Sequence, residues 1–520
     1  MKERSKNILK YIKKKYIFFI LILLILLQVS QLLFYIINAD TNPSYDEAWH
    51  LTNALFYRNH IFGFDNRSVE DLTQVSSIFY YGFSNYTHPN FFYLISSLFP
   101  INYDNILFIN IIFVIILILA TYGIGKELFG KNEGLFAAFL VTMYPSITGI
   151  SHDYFLDLPL ASIVALSVYF LIKSENQKKF LIFFIITSIL GIMTKKLFLF
   201  FIGPPVVYFM VKEFSKKEKL KNKKILIGCS LLILGGIFYL LINNESPLTS
   251  FFKFAFNIYL NDFNRNFINF INYHISFLYF ILFLIGLILF TLKGKNRAIG
   301  FSIIFPLIIL ITSNHISYVR RALPIFYAIA LITSAGTLQI NKSYRKIIIS
   351  FIIILGVTQF FLISFHPLIN ENIHLGNTKI ILIKKDPGSY LDSSHYEFVK
   401  PLDYQRTNIT KILDLIEMDS NKKEVTICNI GESIDVSWTS IFHYVYLEKR
   451  NVRRISGNGC DPTQYNYVII KGDITDKNSV NPEGGSVADS NRRSQDMLRN
   501  NDENFELIGK VSEIYIYKKL

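Results

Sequence analysis

Two adjacent carboxylates, Asp46 and Glu47, stand in the segment Asn42-Pro43-Ser44-Tyr45-Asp46-Glu47-Ala48-Trp49-His50, just where the chain leaves a long apolar run. Such a pair can cap and charge the first turn of the helix-compatible stretch Ala48 to Arg58. It can equally supply a base that takes the proton of an acceptor hydroxyl. A second acidic site, Ser151-His152-Asp153-Tyr154-Phe155-Leu156-Asp157-Leu158-Pro159, sets Asp157 between two leucines. A carboxylate in apolar surroundings is costly without a partner or a water-filled cavity, so Asp157 is a functional candidate. Two paired cations, Lys195-Lys196 and Arg320-Arg321, have the chemistry to clamp an anion such as a phosphate while a base works beside it. His88, in Thr87-His88-Pro89-Asn90, can hydrogen-bond a phosphate or a sugar. His50, His60, His274 and His315 are given no role. Neither CxxC nor HExxH occurs, so no metal and no cofactor is expected. Of the cysteines, Cys229 sits in an apolar run, and Cys428 with Cys460 can form at most one bridge.

The elements that carry these residues follow from composition. The 520 residues are 51% hydrophobic and only 18% charged, with a mean hydropathy of +0.34; a water-soluble domain carries about 25% charge. Residues 1–15 form a basic leader holding Lys2, Arg4, Lys6, Lys10, Lys13, Lys14 and Lys15, a cytoplasmic flank. The run Tyr16 to Ile37 is long enough to span and reads as a signal anchor. Further spans are expected at 104–125, 133–150, 155–172, 180–193, 197–213, 224–243, 274–292, 298–313, 318–338 and 346–365, about 11 in all, with 180–213 readable as one broken helix or as two. The segment Pro89 to Pro100 is too short to cross and is expected as a helix in the outer interface. The expected organisation is a transmembrane domain over 16–365, with a catalytic first outer loop at 38–103, and a polar extracytoplasmic α/β domain over 366–520. That domain has strand-like stretches at Glu424 to Asn429, Tyr467 to Lys471 and Glu513 to Lys518, a helix at Trp438 to Lys449, and a mobile loop at Asn481 to Asn504.

Parity tests the span assignment. Lys126 and Lys131, then Lys173, Lys178 and Lys179, then the dense Lys212 to Lys224 run, then Lys293, Lys295 and Arg297, then Lys342, Arg345 and Lys346 all fall on the side of the leader. The formal charge of +14 is therefore mostly topology, and nucleic acid is not an expected partner. Lys195-Lys196 and Arg320-Arg321 fall on the opposite, outer side and break this pattern. They share it with Asp46, Glu47 and Asp157. Snorkelling toward headgroups is the alternative use of such cations.

In this arrangement the chain resembles the GT-C glycosyltransferases of the protein O-mannosyltransferase and lipid A aminoarabinose transferase group. The likeness is carried by Tyr45-Asp46-Glu47, His88-Pro89, Gly125-Lys126-Glu127-Leu128-Phe129-Gly130, Asp157-Leu158-Pro159-Leu160, Gly191-Ile192-Met193-Thr194-Lys195 and Arg320-Arg321-Ala322-Leu323-Pro324, in family order over about residues 16 to 340. The family usually has a second proline where this chain has Asn90, and Arg-Tyr where it has Arg320-Arg321. The resemblance implies a polytopic α-helical membrane protein with a GT-C-like fold. It implies inverting transfer of a sugar from a polyprenyl-phosphate carrier to a glycan, lipid or protein acceptor on the outer face of the cytoplasmic membrane, among membrane lipids. Asp46 matches the presumed base. Glu47 and Asp157 would orient the acceptor or the cations, and Lys195, Lys196, Arg320, Arg321 and His88 would bind the donor phosphate. A lipid or lipid-linked-sugar transporter is the rival reading. It should show internal repeats and Gly/Pro-interrupted spans near the midplane, whereas here the charges cluster at one face and no repeat is visible.

Overall fold

The structure, a computed structural model, describes residues 2–38, 42–43, 45–61, 91–100, 103–215, 270, 275–312, 319–365, 371–375, 378–383, 408–421, 425–430, 436–448, 450–457, 459–471, 486–512 and 514–520. The expected span at 224–243 and Cys229 lie outside these residues.

The bundle is built from α1 (Lys2–Asn38), α2 (Tyr45–Ile61), the short α3 (Phe91–Ser96) and α4 (Tyr103–Ile106), then α5 (Ile109–Leu128), α6 (Lys131–Met143), α7 (Pro145–Ser151), α8 (Asp157–Ser174), α9 (Phe180–Ile192) and α10 (Phe198–Ser215). It continues with α11 (Phe277–Lys293), α12 (Arg297–Thr312), α13 (Val319–Ala322), a 3-10 turn (Leu323–Ile325), α14 (Phe326–Thr337) and α15 (Lys342–Phe365). Among the described residues, four helices are long and apolar enough to cross a bilayer, and a fifth crossing results if α6 and α7, bent by 58°, count as one. Five further apolar helices are shorter. The bend has a local cause: Tyr144 is extended (ψ 128°) and Pro145 stands at the first position of α7, because the residue before a proline avoids the helical region. The 180–213 region forms two helices, α9 and α10, joined by the turn that carries Lys195. Pro89 to Pro100 contains the short helix α3.

Close helix contacts rest on small residues, as lipid-embedded packing requires. A Cβ on Gly125 would lie 2.5 Å from the Cα of Gly134, and one on Gly336 would lie 1.8 Å from the carbonyl oxygen of Gly286. The first contact locks α5 to α6 at the Gly125–Gly130 motif, where Gly130 has φ 138° and turns the chain between the two helices.

The bundle has two chemically distinct ends. At one, Tyr16 donates to Asn132, Lys212 pairs with Glu175 at 2.6 Å, and Lys173 lies 4.6 Å over the Phe180 ring. This is the end of the basic leader. At the other, α2, α3, the α7–α8 segment and the α9–α10 turn converge.

The C-terminal part is an α/β domain with a five-stranded sheet in the order β4-β3-β5-β7-β6, using β3 (Val425–Ile430), β4 (Val452–Ser456), β5 (Tyr467–Lys471), β6 (Phe505–Val511) and β7 (Ile514–Lys519). A separate antiparallel pair joins β1 (Glu371–Leu375) to β2 (Thr378–Ile383). In the main sheet β3 is parallel to β4 and β5, and β7 is antiparallel to β5 and β6. Alternation along β3 and β5 feeds two cores. Val425, Ile427, Tyr467 and Ile469 pack under α16 (Ile409–Ser420) and α17 (Trp438–Glu448), whereas Cys428, Ile430, Val468 and Ile470 pack with Leu498 of α18 (Ser486–Arg499). Cys428 and Cys460 are disulfide-bonded. Within the mobile loop expected at Asn481 to Asn504, residues Ser486–Arg499 form helix α18, and 481–485 lie outside the described residues: Ser494, Gln495 and Leu498 form a buried stripe that a polar composition conceals.

Candidate functional site

Helix α17 is buried along Thr439 to Tyr446 because it is covered on two sides, by the sheet and by α2. His443 Nδ1 lies 3.2 Å from Thr52 Oγ1, and the Tyr444 hydroxyl donates to Asn42 Oδ1 at 3.2 Å. Tyr446 joins the core of the bundle. The α/β domain therefore braces the helix that opens with Asp46 and Glu47.

The acidic first turn of α2 suits its N-terminus. Glu47 is fully buried, and its Oε1 accepts from the backbone N–H of Tyr154 at 2.9 Å. That contact fastens α2 to the segment between α7 and α8. Asp46 is partly buried. His50, one turn further on, is buried and pairs through Nδ1 with the Tyr93 hydroxyl at 2.7 Å. Burial first, then the neighbouring Tyr154, Tyr57 and Asp46, hold the Tyr93 hydroxyl well above the ordinary phenol pKa of 10.0, so it remains a neutral partner for the imidazole. Position 50 lies four residues after Asp46 and shares its helix face. That spacing was the available signal for His50, to which the residue pattern alone assigned nothing.

The segment from Ser151 to Asp157 is the hub of this end. Asn110 of α5 donates to the carbonyls of Ser151 and Asp153 at 3.0 and 2.9 Å. His152 and Asp153 are buried. Asp157 opens α8, and its Oδ1 accepts from Lys195 Nζ at 2.7 Å; the two side chains are 3% and 22% exposed. The apolar setting of Asp157 is thus compensated by Lys195, of the first of the two cationic pairs.

Lys195 is held by backbone geometry. After α9 ends, the N–H groups of Thr194 and Lys195 both donate to the carbonyl of Gly191. A Cβ at Gly191 would lie 2.2 Å from the Phe198 ring, so glycine allows that ring to fold over the turn. The carbonyl of Met193 accepts from Phe91 N–H at 3.1 Å, which ties the Lys195 turn to α3.

Of the residues expected in the site, Asp157 and Lys195 are brought into direct contact, and Glu47 is linked to Asp157 through Tyr154. Lys196 follows Lys195 in the same turn and is partly buried. Arg320 and the partly buried Arg321 lie on α13, which, with the 3-10 turn after it, packs against α8. His88 lies outside the described residues, as do His274 and His315. Among the described residues, no group of three His, Cys, Asp or Glu side chains is arranged to hold a metal ion.

Comparison with known proteins agrees with this architecture. A family described as dolichyl-phosphate-mannose-protein mannosyltransferase matches residues 87–242. No curated protein matches the chain by sequence. Among solved structures, ArnT from Cupriavidus metallidurans bound to undecaprenyl phosphate is similar over 96% of this chain and 98% of its own, at 8% identity and a TM-score of 0.54. The oligosaccharyltransferase AglB from Archaeoglobus fulgidus, in complex with an inhibitory peptide and a dolichol-phosphate, is similar over 88% of this chain and 70% of its own, at 11% identity and a TM-score of 0.53. At such identities the likeness is one of fold: the chain has the GT-C fold.

Proposed function

We propose that this chain transfers a sugar from a polyprenyl-phosphate carrier to an acceptor hydroxyl at the outer face of the cytoplasmic membrane, with inversion at the anomeric carbon. The observation that carries the reading is the Asp157–Lys195 pair at 2.7 Å, fastened through Tyr154 to the helix of Asp46 and Glu47 within a GT-C fold. A phosphate leaving group needs cations, an acceptor hydroxyl needs a base, and both residue types meet at one end of the bundle. The family match over 87–242 supports the same class of reaction.

In this mechanism the acceptor oxygen attacks the anomeric carbon from the face opposite the phosphate, and Asp46 takes its proton. The bond from the anomeric carbon to the phosphate oxygen breaks, and its electron pair leaves with the polyprenyl phosphate. Lys195, with Lys196 and Arg320 or Arg321, compensates the charge that develops there, and Asp157 aims the Lys195 ammonium. Glu47 holds the entry of α2 against the Tyr154 segment. Outer-face chemistry is supported by two independent features. The basic leader and the lysine-rich turns gather at the opposite end, and the Cys428–Cys460 disulfide suits an oxidising compartment. By the same reasoning the α/β domain is extracytoplasmic, because its α17 rests on α2.

Asp46→Asn tests the reading. The amide keeps the shape and loses the basicity, so the variant should insert and bind polyprenyl phosphate as the wild type does, while turnover of a lipid-linked donor falls by about 10² to 10⁴. Wild-type turnover would remove Asp46 from the mechanism.

A further inference from the structure

A chain of buried polar side chains runs through the bundle from the α6–α7 bend to His152. The last carbonyls of α6 lack helical partners, and that of Thr142 accepts from Gln28 Nε2 at 2.6 Å. Gln28 Oε1 accepts from Gln31 Nε2 at 3.0 Å. Gln31 Nε2 also donates to Ser151 Oγ at 3.0 Å, and Gln31 Oε1 meets His152 Nε2. Gln28, Gln31 and His152 are each about 1% exposed or less, the two glutamines on a mostly apolar stretch of α1 and His152 just after α7. The His152 ring is stacked on Tyr35, with centroids 4.0 Å apart and planes 1° from parallel.

The chain runs in one direction only. A backbone carbonyl cannot donate, so Gln28 must turn its amide nitrogen to Thr142 and its oxygen to Gln31. Gln31 must then offer its own nitrogen to Gln28. A second constraint reaches the same result: the Ser151 hydroxyl spends its proton on the Thr148 carbonyl at 2.7 Å, so toward Gln31 it can only accept. Both hydrogens of the Gln31 amide are thereby used, and its oxygen faces His152. An oxygen with no hydrogen demands a donor.

We propose that Gln28 and Gln31 are positioning residues that hold His152 as an imidazole protonated at Nε2. A neutral ring in that tautomer can take up a proton only at Nδ1, so the ladder sets which edge of His152 is basic. It does so in the segment that also carries Asp153 and Asp157 and that Glu47 and Asn110 fix by backbone contacts. The tautomer follows from the hydrogen bonds alone. Its use, to keep the segment of Asp153 and Asp157 in the geometry that the transfer needs, rests on the glycosyl-transfer reading.

The test separates the two. Full-length protein labelled with ¹⁵N at histidine, purified in detergent, gives the protonation of each ring nitrogen, and His152→Gln identifies the resonances of His152 among the ten histidines. The wild type should show the proton on Nε2. Gln28→Met does not touch His152, yet it leaves the Gln31 amide held by Ser151 alone and should raise the share of the Nδ1-protonated tautomer; Gln31→Met removes the acceptor and should raise it further. A simple packing role for Gln28 would leave the tautomer unmoved. With a lipid-linked donor, Gln28→Met should lower kcat by about tenfold to 10²-fold, the scale of a small misplacement in a preorganised site, with KM for the donor unchanged. A wild-type His152 protonated at Nδ1 overturns the ladder, as does an unaltered tautomer in both variants. A mixed tautomer with unchanged kcat overturns the positioning role while leaving the glycosyl-transfer reading intact. Wild-type protein that binds but never cleaves the donor overturns that reading and leaves the tautomer assignment standing.

Discussion

Separating Asp157 from Lys195 should cost unequal amounts depending on which partner is removed. With its side chain 3% exposed, Asp157 cannot recover its hydration when Lys195→Gln removes the ammonium, whereas Lys195, at 22%, can turn its amine to water when Asp157→Asn removes the carboxylate. Stripping a partner from a buried charge costs about 3–5 kcal/mol. The first turn of α8 returns up to about 1 kcal/mol of that to a carboxylate at its N-terminus. The net penalty for Lys195→Gln is then about 2–4 kcal/mol. For Asp157→Asn the scale is that of a solvated ion pair, about 1 kcal/mol or less. The double variant should cost less than the sum of the two, with a coupling of about 1–3 kcal/mol. Unfolding of the purified protein by SDS titration in mixed micelles supplies all four free energies. Equal penalties, or strict additivity, would refute the idea that Lys195 serves as the counter-ion of a desolvated Asp157.

Three further outcomes follow from particular contacts. Gly191→Ala puts a Cβ 2.2 Å from the Phe198 ring, and the resulting shift of the Lys195 turn should cost about 1–3 kcal/mol and weaken binding of undecaprenyl phosphate in a titration that Gly203→Ala, where a Cβ meets nothing within 4 Å, leaves unchanged. Cys460→Ser removes the bridge to Cys428 and should destabilise the α/β domain by about 2–4 kcal/mol, read as earlier proteolysis between residues 425 and 471 in a denaturant series. The hydroxyl and backbone N–H of Thr463, followed by Gln464, hold the Asp461 carboxyl below its ordinary value. A carboxyl lowered by folding contributes stability above its unfolded pKa, near 3.8, and loses it as pH falls through the lower folded value. Asp461→Asn should therefore reduce the acid-induced loss of stability below about pH 4, measured by thermal shift across pH.

Hydropathy and charge parity made the helical elements legible, because a long apolar run and a lysine-rich turn each state a physical requirement of the bilayer. The α9–α10 turn was readable for the same reason: two lysines that break the parity of the other basic turns need a use, and Lys195 finds it in Asp157. Within the spans the sequence says less. Gln28 and Gln31 stand in an apolar helix without any periodic cue to which neighbour receives them, and their partners come from α6 and α7, more than a hundred positions away. The docking of α17 on α2 was equally hidden. Trp438 to Lys449 reads as a helix in a soluble domain, and only the fold reveals that its second face covers Thr52 and Asn42. Helix α18 was missed because one leucine, Leu498, anchors an otherwise polar stretch.

The most direct test of the central claim is the fate of the carrier lipid. Protein reconstituted in liposomes with polyprenyl-phosphate sugars and an envelope extract as acceptor should convert the lipid-linked sugar to free polyprenyl phosphate, seen by mass spectrometry together with a matching gain in acceptor mass, and Asp46→Asn should abolish the conversion. Movement of the intact lipid-linked sugar between leaflets, with no free polyprenyl phosphate released, would contradict it and identify a transporter instead.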